Sequence, residues 1–140
     1  MIELKFAEEA DLPAIVDLCK QLHERSYHSR FIPFDEKSTY ILAKEMLNSK
    51  KSNVIFCLKV ESTVVAVLAG KVTQQLFNIS ERTALELVFF ILPLYNNFHS
   101  KKLLYGAFKQ WAKLVGCQTI MMGRIREPGK QEEYFLKRIR

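Results

Sequence analysis

Apolar and polar positions change their spacing along this chain, and those changes predict its elements. Residues 2–6 alternate apolar and polar side chains, which indicates a strand with one buried face. Four apolar residues then recur with the i, i+3, i+4, i+7 spacing of an amphipathic helix. They are Ile15, Leu18, Cys19 and Leu22. Asp11 stands at the cap position before this helix and Pro13 lies in its first turn, as is typical of helix starts.

The middle of the chain predicts a second helix and then a pair of strands. Asp35 is the expected cap of the second helix. The apolar face expected for this helix consists of Ile41, Leu42, Met46 and Leu47. Val54–Val60 and Thr63–Gln75 are rich in β-branched and apolar residues, and only two residues separate them, which predicts a hairpin. Residues 76–83 are predicted to be a polar connection.

A strand, a turn and a long helix follow. Ala84–Leu92 is nearly continuously apolar, which indicates a central strand buried on both faces. Pro93 marks a turn, and residues 101–115 predict an amphipathic helix that ends at Gly116. Its expected core stripe is Leu104, Ala107, Phe108, Trp111 and Val115. A strand that leads into a helix through a short polar loop directs the first N–H groups of the helix toward one point, where an anion can bind.

The end of the chain completes a mixed α/β pattern. Residues 119–125 predict a strand parallel to the central one, because a helix connects the two in a right-handed crossover. Pro128 and Gly129 break the chain, and residues 131–139 predict a last helix. The predicted order is β-α-α-β-β-β-α-β-α. Since no linker or repeat interrupts it, we expect one domain over residues 1–140.

Charge and composition narrow the choice of partners. The chain carries 21 Lys and Arg against 15 Asp and Glu, a net charge of +6. A basic balance suits nucleic acid, an anionic membrane or a phosphorylated cofactor. The basic residues near the C-terminus lack interleaved exposed aromatics, so a dedicated nucleic-acid module is not favoured.

The sequence also predicts the compartment and the absence of a metal. The longest apolar run, residues 87–94, is too short to span a bilayer, and charged residues interrupt any signal peptide at the N-terminus. The three cysteines are scattered, with no CxxC pair, which argues against disulfides and against a zinc site. We therefore expect a cytoplasmic protein that binds neither a membrane nor a metal.

The order of elements and its punctuation resemble the GCN5-related N-acetyltransferase (GNAT) family. The resemblance lies in the helix start at residues 11–13, the hairpin around residues 61–62, and the segment Ala84–Gly116. That segment is similar to the family's acetyl-CoA motif, in which a strand ends at an apolar residue two before a proline, here Ile91 and Pro93. The resemblance implies a GNAT-like fold. It also implies transfer of an acetyl group from acetyl-CoA, as cosubstrate, to a primary amine of a small molecule or a protein.

The resemblance further implies which residues hold the cofactor. The strand end would pair with the pantetheine arm, and the loop after it would hold the diphosphate through main-chain N–H groups of residues 98–101. The implied cofactor-binding residues are Phe90, Ile91, Leu92, Asn96, Asn97, Phe98, His99, Ser100 and Lys101, with help from Lys102.

The loop departs from the family pattern, because the family's glycines fall on Asn97, His99 and Lys101. Asn tolerates left-handed conformations and can stand in for glycine at Asn97. Two interpretations stay open. Either the loop still binds the cofactor, or the fold is a non-catalytic binding or scaffold module that acts through protein or nucleic-acid contacts.

Two residues are candidates for the chemistry that the resemblance implies. Glu86 is the only ionisable side chain in the central strand, and as a buried carboxylate with a raised pKa it would deprotonate the amine, directly or through water. The alternative is that Glu86 points to solvent. Tyr134, in the predicted last helix, is a candidate acid for the leaving thiolate, with core packing as the alternative. The aromatic segment Tyr27–Phe34 lies where the family builds its acceptor wall, unless it packs in the core.

A second departure from the family concerns the last strands. Family members continue past the last helix with two more strands, which this sequence lacks. One edge of the sheet would then be exposed, and an exposed edge invites a strand from another chain. A homodimer through this edge is one arrangement that would cover it.

Overall fold

In residues 1–124 and 133–140, which the computed structural model describes, six strands form one mixed sheet and three α-helices pack on its two faces. The strands are β1 (Ile2–Phe6), β2 (Asn53–Val60), β3 (Thr63–Gln75), β4 (Asn78–Ile91), β5 (Thr119–Arg124) and β6 (Glu133–Arg138). The helices are α1 (Leu12–Arg25), α2 (Glu36–Leu47) and α3 (Phe98–Leu114). The strands lie side by side in chain order, and neighbours are antiparallel except for the parallel pair β4–β5. The mixed α/β class is therefore confirmed. Among the described helices, none combines the length and the apolar character that crossing a membrane requires.

The β2–β3 hairpin and the end of α3 follow the turn chemistry that the sequence predicts. Glu61 and Ser62 both have positive φ, 49° and 71°, as a two-residue hairpin turn requires. Gly116 has φ 88° just after α3, where a side chain would be strained. The helix itself begins at Phe98, three residues earlier than predicted.

Two hydrophobic clusters lie on opposite faces of the sheet, because successive strand side chains alternate. Phe56 and Leu58 of β2 belong to the cluster under α3, where Phe108 is fully buried. Ile55 and Cys57 belong to the cluster under α1 and α2. The sheet thus separates an α3 face from an α1–α2 face.

The prediction of a polar connection over residues 76–83 is wrong for most of that range. β4 begins at Asn78, and Arg82 and Thr83 pair with Gln74 and Thr73 of β3. The start of β4 extends past the core, so residues 78–80 are exposed while the strand stays paired, whereas Thr83 is fully buried. Polarity therefore marked the edge of the core and not the end of the strand.

The face predicted for α2 is partly wrong. Met46 is buried, but Ile41 and Leu42 are exposed, at 48% and 58%, and Ala43 is buried in their place. Ala43 allows α2 to lie close to the sheet. The larger apolar residues suggested a face about one position away from the true one.

The two aspartates that were predicted to cap helices behave differently. The Asp35 carboxylate accepts hydrogen bonds from the N–H groups of Lys37 and Ser38 and so caps α2. Asp11 precedes α1, but its side chain makes no cap hydrogen bond to that helix: it lies 2.7 Å from Lys59 Nζ and accepts a hydrogen bond of 2.8 Å from the Glu8 N–H. Burial raises the pKa of the Asp11 carboxyl, yet its contacts with Lys59 leave this pKa below its ordinary value.

The predicted last helix is wrong. Glu133–Arg138 form β6, antiparallel to β5, with Thr119 opposite Arg138. A tertiary constraint explains this, because β6 pairs main-chain groups of β5 that would otherwise face solvent. β6 therefore covers β5 and is itself the edge strand on that side of the sheet. Pro128 and Gly129, predicted to break the chain, lie outside the described residues.

Replacing Gly70 by Ala tests the packing of α3 on β3. A Cβ at Gly70 would lie 2.4 Å from Phe108 Cε1, and the fully buried Phe108 ring has no free space. We expect Gly70→Ala to lower the free energy of unfolding by about 1–3 kcal/mol in urea titrations.

Gly106 provides a matched control on α3, the helix that carries Phe108. A Cβ there meets nothing within 4 Å, so Gly106→Ala should raise the free energy of unfolding by about 0.5–1 kcal/mol through better helix propensity. Equal urea midpoints for Gly70→Ala and the wild type would contradict the described packing.

Candidate active site

The sheet opens between β4 and β5. The two strands pair only where Thr83, Ala84 and Leu85 face Thr119, Ile120 and Met121. From Glu86 onward no main-chain ladder joins the two strands in the described residues. β4 continues to Ile91 with β3 as its neighbour on the other side. A cleft of about 1000 Å³ lies at this opening, between β4, β5, α1, α3 and β6.

Glu86 lies where the pairing of the two strands ends. Its side chain lines the cleft, and the residue is only 8% exposed, so the alternative that it points to solvent does not hold. Its Oε2 accepts a hydrogen bond of 2.6 Å from the Gly123 N–H of β5. The carboxylate thus bridges the two strands at the closed end of the opening.

The second half of β4 forms one wall of the cleft. Phe90 and Ile91 line it and are buried. On the other side of β4, these residues pair with Val67 and Ala66 of β3. In a strand that is paired on one side only, alternate N–H and C=O groups face the open side. The cleft therefore offers main-chain donors and acceptors to an extended ligand.

Asn97 organises the start of α3 at the other end of the cleft. Its Oδ1 accepts a 2.9 Å hydrogen bond from the Ser100 N–H, and its carbonyl accepts one of 3.1 Å from the Lys101 N–H. Two of the four amides expected to bind phosphate are therefore used within the helix. Those of Phe98 and His99 have no protein acceptor in the part of the chain that the structure describes.

The backbone of Asn97 is extended, with φ −137° and ψ 175°. It needs no left-handed conformation, so the interpretation that Asn97 substitutes for a glycine in this way is wrong. An asparagine is favoured here for a different reason, because its side chain caps the helix.

The structure brings together some of the predicted site residues. Those that line the cleft are Glu86, Phe90, Ile91, Asn96, Phe98 and Lys101. Those that do not line it are Leu92, Asn97, His99, Ser100 and Tyr134. The Leu92 N–H is bonded to the Val65 carbonyl of β3. Ser100 is fully buried, and its Oγ has no partner in the described residues.

Sequence reasoning missed cleft residues that come from distant elements. Arg25 lies at the end of α1 and Lys137 on β6, and both line the cleft. Arg25 follows Leu22 by three positions, so the apolar stripe of α1, continued by one turn, was a signal for it. Lys137 had no such signal, because its strand was predicted to be a helix.

A smaller pocket of about 460 Å³ adjoins the cleft on the α1–α2 face. The two share Leu22 and Leu87 in their linings. His28 and Phe34, from the predicted aromatic wall, line this second pocket. Tyr134 also lines it, from β6 and not from a helix, and is 54% exposed, so the core-packing alternative does not hold for it.

The sequence matches no protein-family model and no curated protein. Solved structures do match the fold. A predicted acetyltransferase with acetyl-CoA from Clostridium acetobutylicum has a TM-score of 0.71 and 14% identity, over 86% of this chain and 79% of that one. Glucosamine-6-phosphate N-acetyltransferase from Arabidopsis thaliana has a TM-score of 0.68 and 11% identity, over 86% and 80% of the two chains. Aminoglycoside 6'-N-acetyltransferase AAC(6')-Ig from Acinetobacter haemolyticus has a TM-score of 0.67 and 18% identity, over 84% and 76%.

This chain has the GNAT acetyltransferase fold. The cleft of this GNAT fold is predominantly basic. Its cations are Arg25, Lys101, Lys102 and Lys137, and Glu86 is the only acidic residue among the described lining residues. Such a balance attracts a ligand that carries phosphate groups.

The cap on α3 of the GNAT fold can be tested by two substitutions at one position. Asn97→Ala removes the acceptor for the Ser100 N–H and should lower the free energy of unfolding by about 1 kcal/mol. Asn97→Asp keeps a cap acceptor and adds a negative charge at the positive end of the helix dipole, so stability should be retained. Chemical denaturation of both variants checks this, and equal losses in the two would show that Asn97 does not act as a cap.

Proposed function

We propose that this protein is an N-acetyltransferase that transfers the acetyl group of acetyl-CoA to a primary amine. The observation that carries the proposal is the opening between β4 and β5, with Glu86 at its closed end and the start of α3 at its other end. Structures with the same fold include one with acetyl-CoA and one of an aminoglycoside N-acetyltransferase in complex with CoA.

The diphosphate of the cofactor would bind at the start of α3. The free amides of Phe98 and His99 lie at the positive end of the helix dipole, and Lys101 and Lys102 add positive charge. The side chains of His99 and Lys101 are exposed, so their bulk at the family's glycine positions is directed into solvent. Asn96 lines the cleft beside them.

The pantetheine arm would run from this point along β4 toward Glu86. An extended amide-bearing chain can pair with the open side of β4 at Phe90 and Ile91, as a further strand would. This places the thioester at the closed end of the opening, because the arm follows the strand inward.

The chemistry is direct attack of the amine on the thioester carbonyl. The amine must lose a proton, which Glu86 would accept directly or through one water molecule. The new N–C bond forms and the C–S bond breaks, the nitrogen loses its second proton to solvent, and the thiolate leaves and takes a proton from solvent to give free CoA. A main-chain N–H on the open side of β4 would stabilise the developing oxyanion. We assign no acid role to Tyr134, because it lines the second pocket and not the cleft.

Binding of acetyl-CoA can be tested by thermal unfolding. Ligand at a hundred times its dissociation constant adds about 2.7 kcal/mol to stability, which should raise the Tm by roughly 5–10 °C. Lys101→Glu should remove most of this shift, because it places a negative charge beside the diphosphate. No shift in the wild type would favour the alternative function, a binding module without turnover. One observation favours that alternative: the Ser100 and Lys101 amides already donate hydrogen bonds to Asn97.

Lys109→Glu is the matched control for the Lys101 variant. It makes the same charge change on α3, about 12 Å further along the helix and outside the cleft lining. Its shift with acetyl-CoA should match that of the wild type. Equal shifts in the Lys101 and Lys109 variants would mean that the diphosphate binds elsewhere.

The role of Glu86 as base can be tested through Glu86→Gln. We expect kcat, measured as release of free thiol, to fall by about 10²–10⁴-fold while the thermal shift with acetyl-CoA is retained. The deficit should shrink at high pH, where more of the amine is already unprotonated. Glu81→Gln makes the same change on the same strand outside the cleft lining and should retain activity. Wild-type kcat in Glu86→Gln would eliminate Glu86 as the base.

A further inference from the structure

We propose that the amine acceptor carries an anionic group, a carboxylate or a phosphate, that binds to Arg25 on the α1 side of the cleft. This inference rests on the proposed function, and it names the class of acceptor.

Arg25 is on the side of the opening that faces away from α3. It is the last residue of α1, and its guanidinium carbon lies 5.4 Å from the centre of the Phe90 ring. Phe90 belongs to the hydrophobic cluster under α1 and α2. Leu22, one turn before Arg25, lines both the cleft and the second pocket. Arg25 therefore lies in the cleft next to its boundary with the second pocket.

No described residue neutralises the charge of Arg25. In residues 1–124 and 133–140, no carboxylate forms an ion pair with it. The positions three and four residues earlier on the helix are Leu22 and Gln21, so α1 supplies no acidic neighbour on that face. Gln21 is itself hydrogen-bonded to Asp17.

Contact with Phe90 prepares Arg25 to bind an anion. An arginine held over an aromatic ring keeps its N–H donors free at the edge of the guanidinium plane. That edge matches two oxygens of a carboxylate or a phosphate, and it loses little entropy when it binds them. The ring of Phe90 thus restricts the cation without consuming its hydrogen bonds.

The other cations of the cleft are suited to a different ligand. Lys101 and Lys102 lie at the start of α3, where the cofactor diphosphate is proposed to bind. Lys137 is opposite Ile120 in the β5–β6 register, and Ile120 belongs to the cluster under α3. Cross-strand partners share a face, so Lys137 is on the α3 side as well. Arg25 is thus the cation of the described lining that faces the acceptor side.

The same charge distribution disfavours a polycationic acceptor. Several amino groups would need several carboxylates, but Glu86 is the only acidic residue in the described lining of the cleft. In the described lining of the second pocket the only acidic residue is Asp35, whose carboxylate already caps α2. One amine for Glu86 and one anion for Arg25 fit these surroundings. Phe90 and Glu86 are four residues apart on β4, with a register shift between Glu86 and Val88, so the two groups belong at opposite ends of the acceptor.

The test compares acceptors that differ only in the group opposite the amine. We would use 4-(aminomethyl)benzoate, its neutral methyl ester, and the corresponding benzylphosphonate, and measure kcat/KM by thiol release. The wild type should prefer the anionic acceptors by at least about tenfold, mainly through a lower KM. The carboxylate and phosphonate arms show which anion is preferred.

Variants of Arg25 connect this preference to one side chain. Arg25→Gln should reduce the ratio between acid and ester to near one, and Arg25→Lys should restore part of it. Arg30→Gln is the matched control, because Arg30 is also 5.4 Å from an aromatic ring, that of Tyr27, but lines neither the cleft nor the second pocket. It should keep the wild-type preference.

Each outcome bears on a separate claim. Equal kcat/KM for the acid and its ester in the wild type overturns the inference while the proposed function stands. So does a loss of acetyl-CoA affinity in Arg25→Gln with the acceptor preference unchanged, because Arg25 would then serve the cofactor. If none of these amines is turned over, calorimetric binding of acid and ester to the CoA-saturated protein makes the same comparison. If CoA itself does not bind, the proposed function fails and this inference fails with it.

Discussion

The short parallel pairing of β4 with β5 is the constraint on which the rest of the structure depends. Several hydrogen bonds hold β4 and β5 together at the end where they pair. The hydroxyls of Thr83 and Thr119 lie 2.7 Å apart, and Arg82 and Gln118 exchange hydrogen bonds through main chain and side chain. Beyond these residues, the bridge between the two strands in the part of the chain that the structure describes is the hydrogen bond from the Gly123 N–H to the Glu86 carboxylate. Because β4 and β5 are hydrogen-bonded at one end and separate at the other, the position of the cleft in the sheet is fixed.

Helix α3 determines what that cleft presents to a ligand. Its C-terminal end is held by the Arg82 guanidinium, which donates to the Val115 carbonyl, and by Arg140, which donates to the Lys113 carbonyl. Its middle packs through Phe108 against Gly70 of β3, where no side chain intervenes. A helix fixed in this way keeps its N-terminal amides directed at the mouth of the cleft.

Local periodicity predicted the elements that it controls, and tertiary constraints decided the rest. The spacing of Leu18 and Leu22 was enough for α1, and the strand–turn–helix pattern placed Glu86, Ile91 and Lys101 at one site. Residues 133–138 have no strong period of either kind, so the main-chain groups of β5 decided that they form a strand. For Arg25 the stripe of α1 gave a signal for the helix face alone, because 65 positions separate it from Phe90 and only the packing of α1 on the sheet brings the two together.

Leu22 and Leu87 line both the cleft and the second pocket, and this contact between the two spaces has a kinetic consequence for the proposed reaction. Under the proposed function, acetyl-CoA and the acceptor would occupy adjoining spaces at the same time, so the reaction would pass through a ternary complex and require no acyl-enzyme. Cys19, the thiol in the second pocket, is unsuited to hold an acyl group, since burial raises its pKa to about 11 and leaves little thiolate at neutral pH. Initial-rate lines should therefore intersect, as in a sequential mechanism, and should not run parallel.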